Sequence, residues 1–364
     1  LWDLKAGKRL ATFRHQNQHV WAAALSPDDT LLATASWQGG APRASLWKVA
    51  DGRLQAEMKG HLGPVWTVAW SPDGKELATG GVDKTIRLWS VKDGRQRSRL
   101  LYHRADVTQV RYSSDGHHLV SVGVDRQLVL WRRATETVLA SHRGHRHHVW
   151  SCALSKGARQ VVTGGWDGRL RIYDVRPDGR APAHYIKKGR VAMNIVFTPS
   201  GKELLFGVGP EVRVLQAPDL PRLGGEGRGG ASQGQRGTSK GAPRGAPRGA
   251  PRGEASESSH RPRPKLLGAL RGHEKEVDAV AVSGDGRWVA TGARDGTARL
   301  WDLKERRQVA VLKDHKSRVF AVAFSPSGDL LATGGRDKMV RLWRVPSGKP
   351  AGVLSGHTGS VVGV

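Results

Sequence analysis

The chain has 364 residues and a formal net charge of +27. Its single cysteine, Cys152, excludes an intrachain disulfide, and no apolar run approaches the roughly 20 residues that a membrane helix needs. We therefore expect a cytoplasmic protein without a membrane partner. The positive charge would attract nucleic acid or an acidic protein, although the same charge also serves solubility alone.

The first predicted elements, in chain order, are two strands around Trp2 and over residues 9–13. They have the pattern of the third and fourth strands of a unit whose beginning is missing. The last residues, from Gly356 and His357 onward, have the pattern of the start of a first strand. We therefore expect a piece of a longer protein, with one incomplete unit divided between its two ends.

The complete unit is clearest between His61 and Trp89. Three short apolar runs there alternate or are β-branched, as half-buried strands require. The Ser-Pro-Asp-Gly segment 71–74 separates the first two runs and suits a tight turn. With a fourth strand at 97–101, the pattern predicts a four-stranded antiparallel sheet, whose two faces must be covered by neighbouring units.

The unit recurs with a period near 42 residues and ends its third strand on an aromatic residue. These aromatic residues are Trp2, Trp47, Trp89, Trp131, Tyr173, Trp301 and Trp343. Gly-His pairs at one end and Trp-Asp at the other, as in Trp301-Asp302, make the chain resemble the WD40 repeat family. The resemblance implies an all-β propeller of four-stranded antiparallel blades, with seven complete blades and incomplete eighth-blade strands at the two termini.

Residues 217–265 interrupt the fifth blade, which is also the most degenerate. The segment repeats Gly-Ala-Pro-Arg three times in 241–252 and has almost no apolar side chains. Because it cannot offset its ordering entropy by burial, we expect it to be disordered. It divides the propeller into a first part, 1–216, and a second part, 266–364. A basic tether for an acidic partner and a neutral expansion both remain open, and the sequence favours the second.

Polar residues recur at offsets of 0, 18, 22 and 28 positions. The resemblance implies that each set forms a buried structural tetrad, in which a costly buried imidazole and carboxylate obtain partners. A Ser/Thr, His and Asp set also suits a hydrolase, but a nucleophilic site occurs once per chain and this set occurs five times. The predicted tetrads are His61, Thr79, Asp83 and Trp89; His103, Ser121, Asp125 and Trp131; His145, Thr163, Asp167 and Tyr173; His273, Thr291, Asp295 and Trp301; and His315, Thr333, Asp337 and Trp343.

Candidate partner-binding residues either follow the first Val of a first strand or precede a tetrad Asp. The resemblance implies that both sets lie on the rim of the face that carries the Gly-His loops, called here the Gly-His-loop face. Aromatic and Arg side chains are typical interface anchors, whereas an aromatic residue here also serves simply to pack against the next blade. The candidates are Trp21, Trp66, Trp150, Trp166, Arg294, Phe320 and Arg336.

The sequence contains no catalytic constellation, cofactor motif or metal motif. Four histidines lie between 142 and 148, but His145 belongs to a tetrad and Arg143 and Arg146 oppose a cation. We expect a non-catalytic scaffold of a larger regulatory or signalling protein, with a protein or peptide on the Gly-His-loop face. The alternatives are a nucleic-acid-associated propeller that binds through its basic surface and, less favoured, an enzyme with a site in the channel.

Overall fold

The computed structural model describes residues 2–3, 8–9, 11, 13, 19–37, 43–155, 160–174, 183–186, 195–217 and 265–364. In these residues all regular structure is β, with seven four-stranded sheets, one two-stranded sheet and no helix. The all-β prediction with seven four-stranded blades is thus confirmed. The segment 217–265, which is predicted to be disordered, lies outside the described ranges except for its two end residues.

The first half of the chain contains the two-stranded sheet and blades 1 to 3. The two-stranded sheet pairs β1 (Trp2–Asp3) with β2 (Lys8–Arg9). Blade 1 contains β3 (His19–Leu25), β4 (Leu31–Trp37), β5 (Arg43–Lys48) and β6 (Leu54–Lys59). Blade 2 contains β7 (Val65–Trp70), β8 (Glu76–Gly81), β9 (Thr85–Ser90) and β10 (Gln96–Leu101). Blade 3 contains β11 (Val107–Tyr112), β12 (His118–Gly123), β13 (Gln127–Arg132) and β14 (Thr137–Arg143).

Four further blades follow. Blade 4 contains β15 (Val149–Leu154), β16 (Gln160–Gly165), β17 (Leu170–Asp174) and β18 (Ala183–Ile186). Blade 5 contains β19 (Ile195–Phe197), β20 (Glu203–Val208), β21 (Glu211–Gln216) and β22 (Leu266–Arg271). Blade 6 contains β23 (Val277–Val282), β24 (Trp288–Ala293), β25 (Ala298–Asp302) and β26 (Arg307–Leu312). Blade 7 contains β27 (Val319–Phe324), β28 (Leu330–Gly335), β29 (Val340–Arg344) and β30 (Pro350–Leu354).

The turn between the first two strands of blade 2 shows how the sequence makes each hairpin. Asp73 Oδ1 accepts hydrogen bonds from Ser71 Oγ at 2.5 Å and from the Lys75 N–H at 3.1 Å. Gly74 takes a left-handed φ of 67°, which glycine adopts without steric cost. The Glu76 N–H then donates to Ser71 Oγ at 3.0 Å, so that the chain reverses and β8 begins in register with β7.

The apolar core lies between neighbouring blades. Between blades 1 and 2, the fully buried Leu46 and Met58 pack against Leu77 and Trp89. Equivalent clusters join blades 2 to 3, 3 to 4, 4 to 5, 5 to 6 and 6 to 7. Each large side chain buried in this way contributes about 1.5–3 kcal/mol, which a single sheet could not obtain alone.

The degenerate fifth blade still forms a complete four-stranded sheet. Strands β21 and β22 pair across the insertion, with Val212 opposite Leu270. The Gln216 N–H donates to the Lys265 carbonyl at 2.8 Å. The two ends of the insertion are therefore adjacent.

Near the C-terminus, Val361 packs against blade 7. It is 5% exposed and contacts Val340, Leu342 and Leu354, and its N–H donates to the Gly335 carbonyl at 3.0 Å. The predicted eighth unit is described as the two-stranded sheet β1–β2 near the N-terminus and as residues 355–364 near the C-terminus. The first strand predicted after Gly356 and His357 does not form there, since residues 355–364 contain no strand. No helix in the described ranges is both long and apolar enough to cross a bilayer.

Candidate functional site

The tetrad of blade 2 is one continuous hydrogen-bonded chain. His61 Nδ1 lies 2.9 Å from Asp83 Oδ2, and His61 Nε2 lies 2.7 Å from Thr79 Oγ1. Trp89 Nε1 donates to Thr79 Oγ1 at 2.8 Å. Because the Thr79 oxygen already accepts from the indole, its own proton is free for His61 Nε2, and the imidazole proton then lies on Nδ1 facing Asp83.

The electrostatics agree with this arrangement. Burial alone would raise the pKa of the Asp83 carboxyl, but the hydrogen bond from His61 Nδ1, together with the Leu62 N–H, holds that pKa well below its usual range. Burial also lowers the pKa of His145, His273 and His315, despite the opposing effect of the hydrogen bonds that they donate to their Asp partners. These three imidazoles are therefore neutral at pH 7.

The other tetrads repeat the geometry, with one exception in blade 4. Blades 3, 6 and 7 have His–Asp contacts of 2.8–3.0 Å, His–hydroxyl contacts of 2.7–2.8 Å and an indole donor at 2.9 Å. In blade 4 the His145 contacts to Asp167 and Thr163 are present. The buried Tyr173 hydroxyl, in contrast, has no hydrogen-bond partner among the described residues, and its ring stacks on His142 at 5.0 Å. Tyr173 therefore packs in the tetrad position without replacing the indole donor.

Sequence reasoning missed an arginine that belongs to most of these networks. It stands four residues after the tetrad Asp, and Arg341 Nη1 donates to Asp337 Oδ2 at 2.7 Å. The guanidinium of Arg87 lies 3.7 Å from Asp83 and covers Gly60, where an added Cβ would stand 2.7 Å from Arg87 Nη1. The spacing Asp-x-x-x-Arg-x-aromatic was available as a signal and recurs as Arg87, Arg171, Arg299 and Arg341.

The four predicted partner-binding tryptophans form a continuous row of ring contacts, called here the tryptophan ladder (Trp21, Trp66, Trp150 and Trp166). Ring centroids are 5.5 Å apart for Trp21 and Trp66, 5.4 Å for Trp66 and Trp150, and 5.4 Å for Trp150 and Trp166. Trp21 and Trp166 at the ends are 51% and 44% exposed, while the middle two are half-buried. The ladder therefore joins blades 1, 2 and 4 and presents large aromatic surfaces at both ends.

A repeated β-bulge explains why these side chains converge. The register of the first hairpin shifts at Trp21, Trp66, Trp150 and Phe320, so each of these residues is the unpaired residue of its bulge. A bulge bends the strand and re-aims one side chain. In blade 3 the bulge residue is Thr108, whose short hydroxyl side chain turns to the Val149 carbonyl at 2.5 Å, so that the indoles on either side meet.

Two histidines extend the ladder beyond Trp166. The His148 ring stacks on Trp166 at 5.4 Å, and His147 lies 5.7 Å from Trp166. Partial burial, with the nearby His147 and Arg126, lowers the pKa of His148, so this ring is uncharged at pH 7. Within the described ranges no group of three or more His, Cys, Asp or Glu residues is placed to hold a metal ion.

The remaining candidates do not join the ladder. Arg294 Nε donates to both oxygens of Asp278 at 3.0 and 3.1 Å, so its charge is already paired on the rim. Arg336 is exposed, and its side chain has no ion pair in the part of the chain that the structure describes. Phe320 is half-buried, and among the described residues no aromatic ring stacks on it.

Comparison with known proteins gives the family directly. A family model described as "WD domain, G-beta repeat" matches six segments, which together make up more than half of the chain: residues 7–40, 52–90, 94–132, 136–174, 264–302 and 306–344. The chain belongs to the WD40 repeat family. The matches leave out the first three strands of the fifth blade, in agreement with its degenerate sequence.

Individual WD40 relatives are only distantly similar to this chain. The chain is 28% identical to the small ribosomal subunit protein RACK1y of Oryza sativa subsp. japonica over 172 residues, which cover 46% of this chain and 51% of that protein. It is 44% identical to the ribosome biogenesis protein erb1 of Aspergillus oryzae over 50 residues, 14% of this chain and 6% of that protein. The chain therefore spans about half the length of the first relative and a small part of the second.

Proposed function

We propose that this chain is a non-catalytic scaffold that binds a protein or peptide through the tryptophan ladder on its Gly-His-loop face. The ladder carries the proposal, because Trp21 and Trp166 expose large aromatic surfaces next to a rigid, half-buried aromatic base. The indole nitrogens of Trp66 and Trp150 are buried without a hydrogen-bond partner among the described residues. Hydrogen bonding therefore does not explain their position, whereas anchor residues of interfaces are typically Trp, Tyr and Arg.

A structural role for the tetrads supports a scaffold over an enzyme. Their histidines are 4–7% exposed, and their hydroxyls are fully buried, as at Thr79 and Ser121. A substrate could not reach such a hydroxyl, and its oxygen already accepts a hydrogen bond from an indole in four of the five blades. The tetrads thus hold each Gly-His loop to its own blade.

The relatives support the same class of function without naming a partner. Proteins named as a ribosomal subunit protein and as ribosome biogenesis proteins act in multicomponent assemblies, which require interaction surfaces. We infer that this chain serves as the repeat region of a regulatory or signalling protein in the cytoplasm. Binding of nucleic acid through the net charge of +27 is the second candidate, and it would weaken steeply as salt rises.

The test is partner capture with paired variants. Trp166→Ala and Arg336→Ala should each weaken capture from a source-cell lysate, because truncated interface anchors typically cost at least about 2 kcal/mol. Both side chains are exposed, so thermal stability should change little. The charge reversal Lys202→Glu, on the opposite face, is the control and should leave capture intact. If the double variant Trp166→Ala/Arg336→Ala retained every partner and the Lys202→Glu variant lost them, the binding face would lie on the opposite side.

A further inference from the structure

Blades 2 and 3 carry a groove that the repeat pattern does not require. Two cavities, of about 490 and 620 Å³, lie on either side of Tyr102, which lines both. Leu62 and Leu101 line the first cavity, and Val124 lines the second. We call this surface the Tyr102 groove.

The groove results from a paired departure from the repeat. In blade 2 the guanidinium of Arg87 lies over Gly60, the glycine of the Gly-His pair. In blade 3 the equivalent positions hold Val129 and Tyr102. With no guanidinium there, the Tyr102 ring packs edge-on against Trp131 at 6.2 Å and its hydroxyl donates to Ser141 Oγ at 2.6 Å. Tyr102 is thus fixed as a wall between the two cavities.

Large apolar side chains are exposed along the groove. Leu62 is 85% exposed, Leu101 is 60% exposed and Tyr102 is 39% exposed. Single exposed apolar residues are common, but three around one cavity form a contiguous patch of the kind that marks an interaction site. The structure offers no neighbouring element that covers them within the described ranges.

The charges around the groove have one sign. The two acidic residues in its lining, Asp83 and Asp125, already bond to His61 and His103 in the tetrads. Five exposed cations surround the cavities, and in the described part of the chain none of them makes an ion pair: Lys84, Arg99, Arg104, Arg126 and Arg143. An occupant must therefore bring negative charge together with apolar surface.

Two of these cations occupy backbone positions that favour glycine. Lys84 and Arg126 have φ of 66° and 69°, and the same hairpin position in blades 4 and 6 is Gly168 and Gly296. A side chain in the left-handed region is strained, so glycine would relieve strain at both positions. Lys338 in blade 7 has the same conformation, φ 67°, so the groove is marked by its exposed charges and apolar side chains and not by this strain.

From these observations the geometry points to a binding site for an acidic peptide segment that carries bulky apolar side chains. Leu62, Leu101 and Val124 suit aliphatic or aromatic side chains, and the surrounding Lys and Arg residues suit Asp and Glu. Single-stranded nucleic acid fits less well, because bases require free aromatic faces for stacking. Among the lining residues, the one exposed aromatic ring is that of Tyr102, which already packs against Trp131. The site shares no residue with the tryptophan ladder.

The test uses a displayed library of random peptides as the probe. Peptides are selected on the chain and counter-selected on the double variant Lys84→Gly/Arg126→Gly. Glycine is compatible with the backbone at these two positions, because blades 4 and 6 have Gly168 and Gly296 at the same place in the hairpin. We expect enrichment of Asp, Glu, Leu and Phe. Synthetic copies of the selected peptides should bind the double variant and Leu62→Ser at least about tenfold more weakly in fluorescence anisotropy, as expected for loss of anchor contacts.

Two controls keep the result specific. Lys338→Gly changes a cation with the same backbone conformation, φ 67°, in blade 7 and should leave peptide affinity unchanged. Trp166→Ala should also leave it unchanged, so failure of this site is distinguishable from failure of the ladder. Selection of peptides without acidic residues, or equal affinity for the double variant at an unchanged melting temperature, would overturn the proposal. Binding of an oligothymidine that the double variant loses, with no peptide enriched, would overturn it in favour of nucleic acid.

Discussion

At the scale of single residues, the tetrads illustrate how a buried polar group is stabilised only as part of a complete set. Thr79 is fully buried and its hydroxyl joins His61 to Trp89, so the imidazole, the hydroxyl and the indole N–H of this tetrad all have partners. The arginine found four residues after the Asp extends the same network to the Gly-His loop. In blade 3, Val129 stands in place of that arginine and Tyr102 in place of the glycine, whereas blade 7 has Arg341 and Asp314 at the same two positions.

Replacing Asp83 tests whether the tetrad depends on its complete set. Asp83→Ala should lower the free energy of unfolding by about 1–3 kcal/mol, because it leaves His61 Nδ1 and the Leu62 N–H without an acceptor. Asp93→Ala is the matched control, since that exposed carboxylate accepts only turn hydrogen bonds such as the one from the Arg95 N–H. Urea denaturation measures both, and equal midpoints for Asp83→Ala and the parent would refute the role of the tetrad.

At the scale of elements, polar contacts as well as apolar packing join neighbouring blades. Glu76 at the start of β8 accepts a hydrogen bond from Tyr112 Oη at 2.8 Å and one from Arg133 Nε at 3.1 Å, both from blade 3. Burial, followed by the adjacent Glu76 charge, raises the pKa of Tyr112, so its hydroxyl remains a donor. A buried carboxylate with two such donors fixes the position of blade 3 against blade 2.

The pairing of β21 with β22 predicts the effect of removing the insertion. Because the Gln216 N–H and the Lys265 carbonyl are hydrogen-bonded, a short Gly-Ser turn can replace residues 218–264. Each halving of a flexible loop lowers its closure cost by about 0.6 kcal/mol, so the melting temperature should stay the same or rise slightly. Loss of the cooperative transition in calorimetry would mean that the insertion contributes to the fold, and limited proteolysis of the parent should cut first within it.

At the scale of the whole molecule, repetition makes the stability of the chain depend on pH. The pKa values of His145, His273 and His315 are lowered by burial, and those of the tetrad Asp residues are lowered by their His partners and neighbouring N–H groups against the effect of burial. The unfolded chain therefore binds more protons than the folded chain at acidic pH. The stabilising contributions of the histidines and of the aspartates to the folded state therefore both decrease as pH falls.

We accordingly expect the melting temperature to fall from pH 7 toward pH 5, as the unfolded histidines begin to bind protons near 6.5, and to fall further below about pH 4. His273→Gln removes one titrating group and should make the decline between pH 7 and 5 shallower, whatever its effect at pH 7. Calorimetry across this range is the measurement. A melting temperature that is constant or rises on acidification would contradict the lowered pKa values.

The sequence by itself determined the blades, because a β-blade is a local unit. Alternating apolar runs, Ser-x-Asp-Gly turns and the fixed spacing from His61 to Trp89 all lie within about one repeat, so the sequence alone shows their pattern. The same holds for the degenerate fifth blade, whose sequence still predicts the strands although its tetrad residues are replaced.

Only the tertiary structure decided how positions on different blades meet. Trp66 and Trp150 are two repeats apart, and their contact depends on bulge geometry and on the short side chain of Thr108 between them. Pairing of Arg294 with Asp278, and the cavities beside Tyr102, likewise depend on which side chains share a rim after folding. The repeat gives Trp66 and Trp150 equivalent positions, but it does not specify which of the side chains at such positions touch. Those contacts depend on the size of each side chain and on the packing of one blade on the next.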